Sequence, residues 1–305
     1  MSGPPPARLA PDRRTSLLAT AALLAMTACW GSTFFLIKDL LERVPTLDFL
    51  AVRFAIAGVV MLLVAPRAVL RLSAASRRRA IVLGGVYGVA QILQTAGLAH
   101  TAASVSGFIT GMYVVLTPVL AAMLLGSRTT AVTWAAVALA TAGLGVLTLD
   151  GVAIGYGEAI TLVSAVLYAL HIVGLGAWSN AREALGMSVV QLLVIAVVCL
   201  VATAPDGVVL PPTTADWLSV VYMALFAGAL ALIGQTWAQA HLPPTRTAII
   251  MSMEPVFAAF FAVLLGGEAV TVRMALGGLM VLAAMLVVEA LPRRKVEGEV
   301  QHLVV

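Results

Sequence analysis

Long apolar segments alternate with short polar ones from residue 17 to residue 291 of the chain. Each apolar segment is about 20 residues long, the length that an α-helix needs to cross the hydrocarbon core of a bilayer. The pattern therefore predicts ten membrane-spanning helices, called spans one to ten. Their predicted limits are residues 17–37, 47–64, 80–98, 104–125 and 130–149, then 154–175, 188–204, 217–238, 246–265 and 272–291.

Composition supports the same class of protein. Hydrophobic residues make up 61% of the 305 residues and charged residues only 10%, whereas soluble domains carry about 25% charged residues. The sequence thus predicts an all-α integral membrane protein in contact with a lipid bilayer. Residues 1–16 and 292–305 are expected to form short tails, and too little chain remains outside the spans to build a soluble domain.

The lysines and arginines indicate how the spans are oriented. With a cytoplasmic N-terminus, 14 of the 18 lie on the cytoplasmic side and three lie outside, while Arg53 falls within span two. Because cytoplasmic loops hold an excess of these residues, both termini are predicted to be cytoplasmic, in a bacterial inner (plasma) membrane. The run Arg77-Arg78-Arg79 stands beside span three, so we interpret it as a topology signal and expect no nucleic-acid partner.

The two halves of the chain resemble each other. The segments QTAGLAH (94–100) and QTWAQAH (235–241) share four of seven residues at a separation of 141. Similar separations recur elsewhere, since Trp30 corresponds to Tyr168 at 138. Together these matches predict that residues 17–149 and 154–291 are two five-span repeats, and an odd number of spans inverts the second repeat relative to the first. Inverted repeats of this kind place a substrate site near the middle of the membrane.

Charged groups inside spans are costly, so they mark a pathway by default. Glu254, eight residues into span nine, is the best candidate for a proton or cation site, the alternative being a structural carboxylate satisfied by an arginine or a hydroxyl. Arg53 is expected either to bind a substrate carboxylate or to pair with Asp48 or Glu158. Glu158 lies one turn into span six and is itself a candidate, unless it reaches the outer surface.

The other candidates are uncharged residues within the spans. Proline removes a helix hydrogen bond, so two prolines are expected to break spans four and nine. The glutamines form two pairs at helical spacing, Gln91 with Gln94 and Gln235 with Gln239. Each pair either joins helices or binds a ligand. Trp30 either packs between helices or forms a cavity wall. The set consists of Trp30, Gln94, Tyr113, Tyr168 and Gln235 as binding candidates, and Pro118 and Pro255 as helix breaks.

Several short motifs resemble the EamA-type members of the drug/metabolite transporter superfamily. They are Trp30-Gly31-Ser32, Val52-Arg53-Phe54, residues 107–115 leading to Pro118, Glu254-Pro255-Val256 and Leu265-Gly266-Gly267-Glu268. The chain departs from the family pattern at Arg128, the counterpart of Glu268, where an acidic residue is common; this puts a paired role for the two positions in doubt. The resemblance implies two inverted five-helix repeats, with spans one to four and six to nine around a central cavity.

The resemblance also implies a function. Such proteins carry small metabolites, amino acids or drugs, often outward, so we expect a secondary transporter that works by alternating access with protons or a counter-substrate. A passive channel stays an alternative, as does a membrane-embedded enzyme acting on lipid-linked substrates, although no catalytic motif is present. No cofactor and no metal are expected, and a homodimer is left open.

Overall fold

All regular structure in the described part of the chain is helical, which confirms the predicted fold class. The computed structural model describes residues 13–101, 103–148, 155–203, 207–266 and 270–290. The predicted C-terminal tail, most of the N-terminal tail and Glu268 lie outside these ranges. The helices are α1 (Arg13–Gly31), α2 (Phe34–Leu40), α3 (Thr46–Val64), α4 (Pro66–Leu70), α5 (Ala74–His100), α6 (Ala103–Gly111), α7 (Tyr113–Leu125), α8 (Ala131–Thr148), α9 (Tyr156–Trp178), α10 (Ala184–Thr203), α11 (Thr214–Tyr222), α12 (Ala231–Gln239), α13 (Pro244–Met251), α14 (Glu254–Gly266) and α15 (Val272–Ala290).

Each of the ten predicted spans has a helical counterpart. Spans two, three, six, seven and eight are helical stretches long and apolar enough to cross a membrane. In span eight, a π-helical segment, Met223–Leu230, joins α11 to α12. Spans five and ten are α8 and α15, whose apolar parts are shorter. Spans one, four and nine each consist of two successive helices, α1 with α2, α6 with α7, and α13 with α14.

The breaks in spans four and nine do not fall on the predicted prolines. Span four is interrupted at Met112, and Pro118 lies inside α7, so the prediction that Pro118 breaks the helix is wrong. Because the helix restarts at Tyr113, Pro118 removes only the bond to the carbonyl four residues before it. Span nine is interrupted at Ser252 and Met253, and Pro255 occupies the first turn of α14, where a missing N–H costs no helix bond.

Packing between spans repeats when the two halves are exchanged. Span one packs against spans eight and nine, and its counterpart, span six, packs against spans three and four. Span two packs against its own counterpart, span seven, and span five against span ten. Such self-complementary pairing is what a two-fold axis produces.

Equivalent spans run in opposite directions. Asp48 at the start of α3 accepts a hydrogen bond from the hydroxyl of Thr203 at the end of α10. Arg273 at the start of α15 donates from Nε to the carbonyl of Val146 near the end of α8, at 3.2 Å. The second repeat is thus inverted relative to the first, as its odd number of spans requires.

The helices form two bundles, and each bundle combines spans from both repeats. The first bundle comprises spans one, two, eight and nine, and the second comprises spans three, four, six and seven. Large apolar side chains on the outer faces of the helices are exposed, among them Leu63, Met123 and Leu264. Because these exposed faces are apolar, they are the surfaces that contact lipid.

A polar contact fastens each bundle at one end. In the first bundle, Arg43 Nη2 lies 2.6 Å from Asp216 Oδ1, which joins the end of span one to the start of span eight. In the second, Glu183 after span six accepts hydrogen bonds from the Ser73 backbone N–H at 2.9 Å and the Ser76 hydroxyl at 2.7 Å, at the start of span three. The two fastenings occupy equivalent places in the inverted repeats, although only the first is an ion pair.

Candidate functional site

A cavity lies between the two bundles. It encloses about 720 Å³ between its walls, the part open to solvent included. The first bundle contributes Trp30, Thr33, Ile37, Arg53, Gln235, Met251 and Glu254. The second bundle contributes Tyr87, Gln91, Gln94, Thr95, Leu98, Ser106, Thr110, Tyr113, Tyr168, His171 and Ile172. The arginine and the glutamate of the lining, Arg53 and Glu254, therefore both belong to the wall that the first bundle forms.

Seven of the eight predicted binding candidates line this cavity, and Glu158 does not. The Glu158 carboxylate accepts hydrogen bonds from the Thr101 hydroxyl and from the Gly155 backbone N–H, the latter at 2.8 Å. It thereby caps the start of α9, because the first N–H groups of a helix lack partners within the helix. The geometry assigns Glu158 to helix capping. It lies in the first turn of α9, ten residues before Tyr168, the candidate on the same helix that lines the cavity.

Gly31 allows spans one and nine to approach closely. A Cβ atom at this position would lie 2.7 Å from the backbone nitrogen of Ala258 and 2.9 Å from the carbonyl oxygen of Glu254. The neighbouring Trp30 donates from Nε1 to the carbonyl of Ala227 at 2.8 Å. Trp30 is thus both a cavity wall and a link between spans one and eight, which combines the two interpretations that its sequence position permits.

Glu254 is buried without a visible partner. The residue is 9% exposed, and within the described residues its side chain has neither a hydrogen bond nor an ion pair. The alternative of a carboxylate satisfied by a neighbouring arginine or hydroxyl therefore finds no support in this part of the chain. A buried carboxylate in such surroundings is costly unless it is protonated or paired with a bound cation.

Arg53 is held by aromatic rings and one weak hydrogen bond. Its guanidinium carbon lies 5.1 Å from the ring centroid of Phe54 and 5.8 Å from that of Phe49. Nη2 donates to the carbonyl of Ala227 at 3.4 Å. Asp48, an alternative partner considered from the sequence, instead accepts from the Thr203 hydroxyl and from the Val209 backbone N–H at 3.0 Å.

The opposite wall carries a network of neutral groups. Gln91 donates from Nε2 to the Tyr168 hydroxyl at 2.6 Å, and this hydroxyl donates to Gln94 Oε1 at 2.6 Å. Gln94 in turn donates from Nε2 to the Thr110 hydroxyl at 3.2 Å. The network joins spans three, four and six, so these glutamines both connect helices and face the cavity.

Several polar atoms of the cavity residues are unsatisfied. The hydroxyls of Ser106 and Tyr113, Oε1 of Gln235 and Nε of Arg53 are buried without a hydrogen-bond partner in the described structure. Buried polar groups are otherwise almost always paired. At the cavity wall, such groups are donors and acceptors available to a polar ligand. No group of three metal-ligating side chains occurs in the described ranges.

The cavity is closed at one end. There, Gln239 of span eight donates from Nε2 to the backbone carbonyl of Ile172 in span six, at 2.7 Å. One turn further, a Cβ atom on Gly176 would lie 2.5 Å from Cγ of Pro244, so spans six and nine are in close contact. These contacts connect the two bundles on the side that the charge distribution predicts to be cytoplasmic.

At the other end of the cavity, the described residues form no equivalent closure. The cavity extends to Ile37, Leu98 and Ser106, at the ends of spans one and three and the start of span four. Inverted symmetry would pair span one with spans three and four as span six pairs with spans eight and nine, but no packing of comparable extent joins these spans in the described part of the chain. The structure is therefore asymmetric, with the cavity reaching the predicted outer side.

Some cavity residues were not singled out from the sequence. Tyr87 precedes Gln91 and Gln94 at helical spacing, and Ser106 and Thr110 precede Tyr113 in the same way. Residues at such spacing share one helix face, so extending each polar face by one or two turns finds these positions. His171, by contrast, is noticeable in the sequence as a histidine near the inner end of span six. It lines the cavity, where its Nε2 lies 2.9 Å from Gln191 Oε1 and its ring packs on Tyr87.

The fold and the cavity define a polytopic membrane protein built from two inverted repeats around a central polar site. Comparison with known proteins gives the family. The sequence profile of the EamA-like transporter family matches residues 17–149 and again residues 155–289, so the chain belongs to this family. The first match has the limits of the first predicted repeat, and the second differs from the second predicted repeat by one residue at its start and two at its end.

Individual proteins resemble the chain over most of its length. An uncharacterized transporter from Archaeoglobus fulgidus is 27% identical over 281 residues, covering 89% of this chain and 86% of the relative. The uncharacterized inner membrane transporter YedA of Escherichia coli K12 is 25% identical over 256 residues, covering 81% and 82%. One solved crystal structure superposes with a TM-score of 0.75 at 19% identity, covering 91% of this chain and 96% of that one, which shows the shared fold.

Proposed function

We propose that the protein is a secondary active transporter that exports a small polar organic solute, such as a metabolite, an amino acid or a drug, by alternating access. The membership in a transporter family supports transport in general. The observation that carries the finer proposal is the asymmetric cavity between two bundles, closed by the Gln239–Ile172 contact and extending to the opposite end. In inverted-repeat transporters, exchanging such an arrangement between the repeats produces the opposite state.

Coupling to a proton or to an exchanged solute is assigned to Glu254. This carboxylate is buried in the cavity wall without a partner among the described residues. A cation, either a proton or an ammonium group of a solute, removes the cost of burying it. The cavity therefore has a different preferred occupant when Glu254 is protonated and when it is ionised, which is what coupling requires.

The proposed location is the inner membrane of a bacterium, with both termini in the cytoplasm. The distribution of 14 lysines and arginines on one side and three on the other supports this orientation. The name of the relative YedA, an inner membrane transporter, supports the location. With this orientation, the closed end of the cavity faces the cytoplasm.

Transport in proteoliposomes tests the proposal. The purified chain is reconstituted with an imposed pH gradient, and radiolabelled amino acids, hexoses and nucleosides are presented one at a time. At least one is expected to accumulate against its own gradient, with saturation and trans-stimulation. Glu254→Gln is expected to abolish this accumulation, whereas Glu42→Gln, which neutralises an exposed acid in the loop after α2, retains it.

The possible results separate the alternatives. Accumulation by Glu254→Gln equal to that of the unmodified protein would refute the coupling role. A flux that rises linearly with concentration and shows no trans-stimulation would indicate a passive channel. Size-exclusion profiles of both variants confirm that any loss does not come from misfolding.

A further inference from the structure

Arg53 presents an unusual combination of burial and poor pairing. The residue is 4% exposed, yet within the described residues its side chain makes one hydrogen bond, at 3.4 Å, and its Nε is unsatisfied. A guanidinium has five donor N–H bonds in a fixed fork. Most of this donor capacity is therefore available on a side chain that lines the cavity.

No carboxylate of the described protein neutralises this cation. The two ion pairs among the described residues both involve Arg43, so neither Asp48 nor Glu254 lies within 4.0 Å of the Arg53 guanidinium. Asp48 already accepts two hydrogen bonds elsewhere. A buried charge without a counter-ion is strongly unfavourable, so a ligand that supplies the counter-ion gains affinity from this site.

The surroundings of Arg53 hold its guanidinium in place. Phe49 and Phe54 lie in cation–π contact with it, at 5.8 and 5.1 Å from their ring centroids. The Ala227 carbonyl, which accepts its hydrogen bond, also accepts the 2.8 Å bond from Trp30. A guanidinium fixed in this way is prepared to donate two parallel hydrogen bonds, a geometry that carboxylates and phosphates match. Because a single guanidinium supplies one positive charge, the singly charged carboxylate is the group that it neutralises.

From these contacts we infer that the cavity recognises its solute by a carboxylate group, and that Arg53 is the residue that binds this group. This inference rests on the proposed function for the identity of the cavity as a solute site, but it concerns binding, which does not require transport. The unsatisfied hydroxyl of Tyr113 and Oε1 of Gln235 are then available to the rest of the solute.

Binding to the purified full-length protein tests the inference. The probes are acids paired with their primary amides: L-alanine with L-alaninamide, L-phenylalanine with L-phenylalaninamide, and benzoate with benzamide. Ligand-induced thermal stabilisation in detergent reports affinity. At least one acid is expected to stabilise the protein while its amide does not, and Arg53→Gln is expected to weaken binding of that acid by about 10- to 100-fold.

Arg43→Gln is the matched control, since Arg43 is an arginine outside the cavity. It is expected to bind the acid with unchanged affinity. Equal binding of acid and amide, binding of the acid by Arg53→Gln as by the unmodified protein, or the failure of every acid to stabilise the protein would each overturn the inference. If Arg53→Gln does not fold, Arg53→Lys replaces the fork by a point charge, and undiminished acid affinity in that variant would also contradict it.

The binding and transport experiments fail independently. An acid that binds through Arg53 but is not moved across proteoliposomes would refute the transport proposal and leave carboxylate recognition intact. A solute that is accumulated by a Glu254-dependent route, with no requirement for a carboxylate or for Arg53, would support the transport proposal and refute carboxylate recognition.

Discussion

Gln239 of span eight donates a hydrogen bond to the backbone carbonyl of Ile172 in span six, and this 2.7 Å contact joins the two bundles below the cavity. The Gln239 side chain is also bonded through Oε1 to Gln235, a cavity residue. One contact therefore connects the closure of the cavity to its lining.

The contact between Gly176 and Pro244 is expected to control which side of the cavity is open. Gly176→Ala introduces a Cβ at 2.5 Å from Pro244 Cγ, and overpacking of this kind costs about 1–3 kcal/mol. The cost applies only while this end is closed, so the variant should shift the population by roughly 5- to 150-fold toward opening there. The measurement is labelling of Ser106→Cys, in a background with Cys29 and Cys199 replaced by Ala, by a membrane-impermeant maleimide added outside.

Labelling of Ser106→Cys is expected to fall when Gly176→Ala is added. Gly85→Ala is the control, since a Cβ at Gly85 would meet nothing within 4 Å. Unchanged labelling in the Gly176→Ala protein would show that this packing does not control access to the cavity.

Tyr168→Phe is expected to destabilise the protein. The change removes the hydroxyl that bonds to both Gln91 and Gln94. A buried polar group left without its partner lowers the free energy of unfolding by about 1–3 kcal/mol. The midpoint of thermal unfolding in detergent should decrease. Tyr113→Phe is the matched comparison, because the Tyr113 hydroxyl has no partner in the described structure and its loss should be neutral or stabilising. Equal effects of the two substitutions would contradict the network.

Glu183 is expected to make the stability of the folded protein vary with pH in the acidic range. The Ser73 backbone N–H, the Ser76 hydroxyl and Asn180 stabilise its ionised form and lower its pKa from the ordinary 4.5 to about 2. A lowered pKa in the folded state stabilises the fold above pH 4.5, and this contribution disappears as the pH falls from 4.5 toward 2.

Thermal unfolding as a function of pH checks the role of Glu183. Glu183→Gln should show a weaker dependence between pH 4.5 and 2 than the unmodified protein, and Glu42→Gln should show the same dependence. If the curve of Glu183→Gln coincides with that of the unmodified protein, the carboxylate does not fasten span three to the segment after span six.

Glu158→Ala separates helix capping from solute binding. The substitution removes the acceptor for Gly155 and Thr101, and loss of a cap costs about 0.5–2 kcal/mol. The unfolding temperature should fall, while the transport rate per folded molecule stays unchanged. A transport rate reduced tenfold at equal amounts of folded protein would return Glu158 to the substrate pathway.

Hydropathy was sufficient to predict the spans, whereas the break in span four was not predictable. The apolar segments are long enough that burial in lipid determines them. Met112 carries no local signal for an interruption, because Gly111 before it has no requirement for positive φ and Pro118 lies six residues later. The π-helical segment Met223–Leu230 likewise has no distinguishing residue pattern, since tertiary contacts determine it.

The charged site residues were predicted because a charge inside a span is rare and conspicuous. Glu254 and Arg53 stand alone within apolar sequence, and both line the cavity. Whether Arg53 pairs with Asp48 depends on the position of Thr203, which is 155 residues from Asp48 along the chain. Partners at such separations are set by helix packing, so the sequence left both interpretations open.

The combination of spans from both repeats in each bundle has a consequence for how the protein is made. Spans one and two enter the membrane first, but their neighbours in the first bundle, spans eight and nine, are synthesised only after spans three to seven. The first bundle therefore cannot complete its packing until most of the chain has left the ribosome. During biogenesis, the cavity-lining face of span two, with Arg53, must wait in the bilayer or against the insertion machinery for a partner that has not yet been translated.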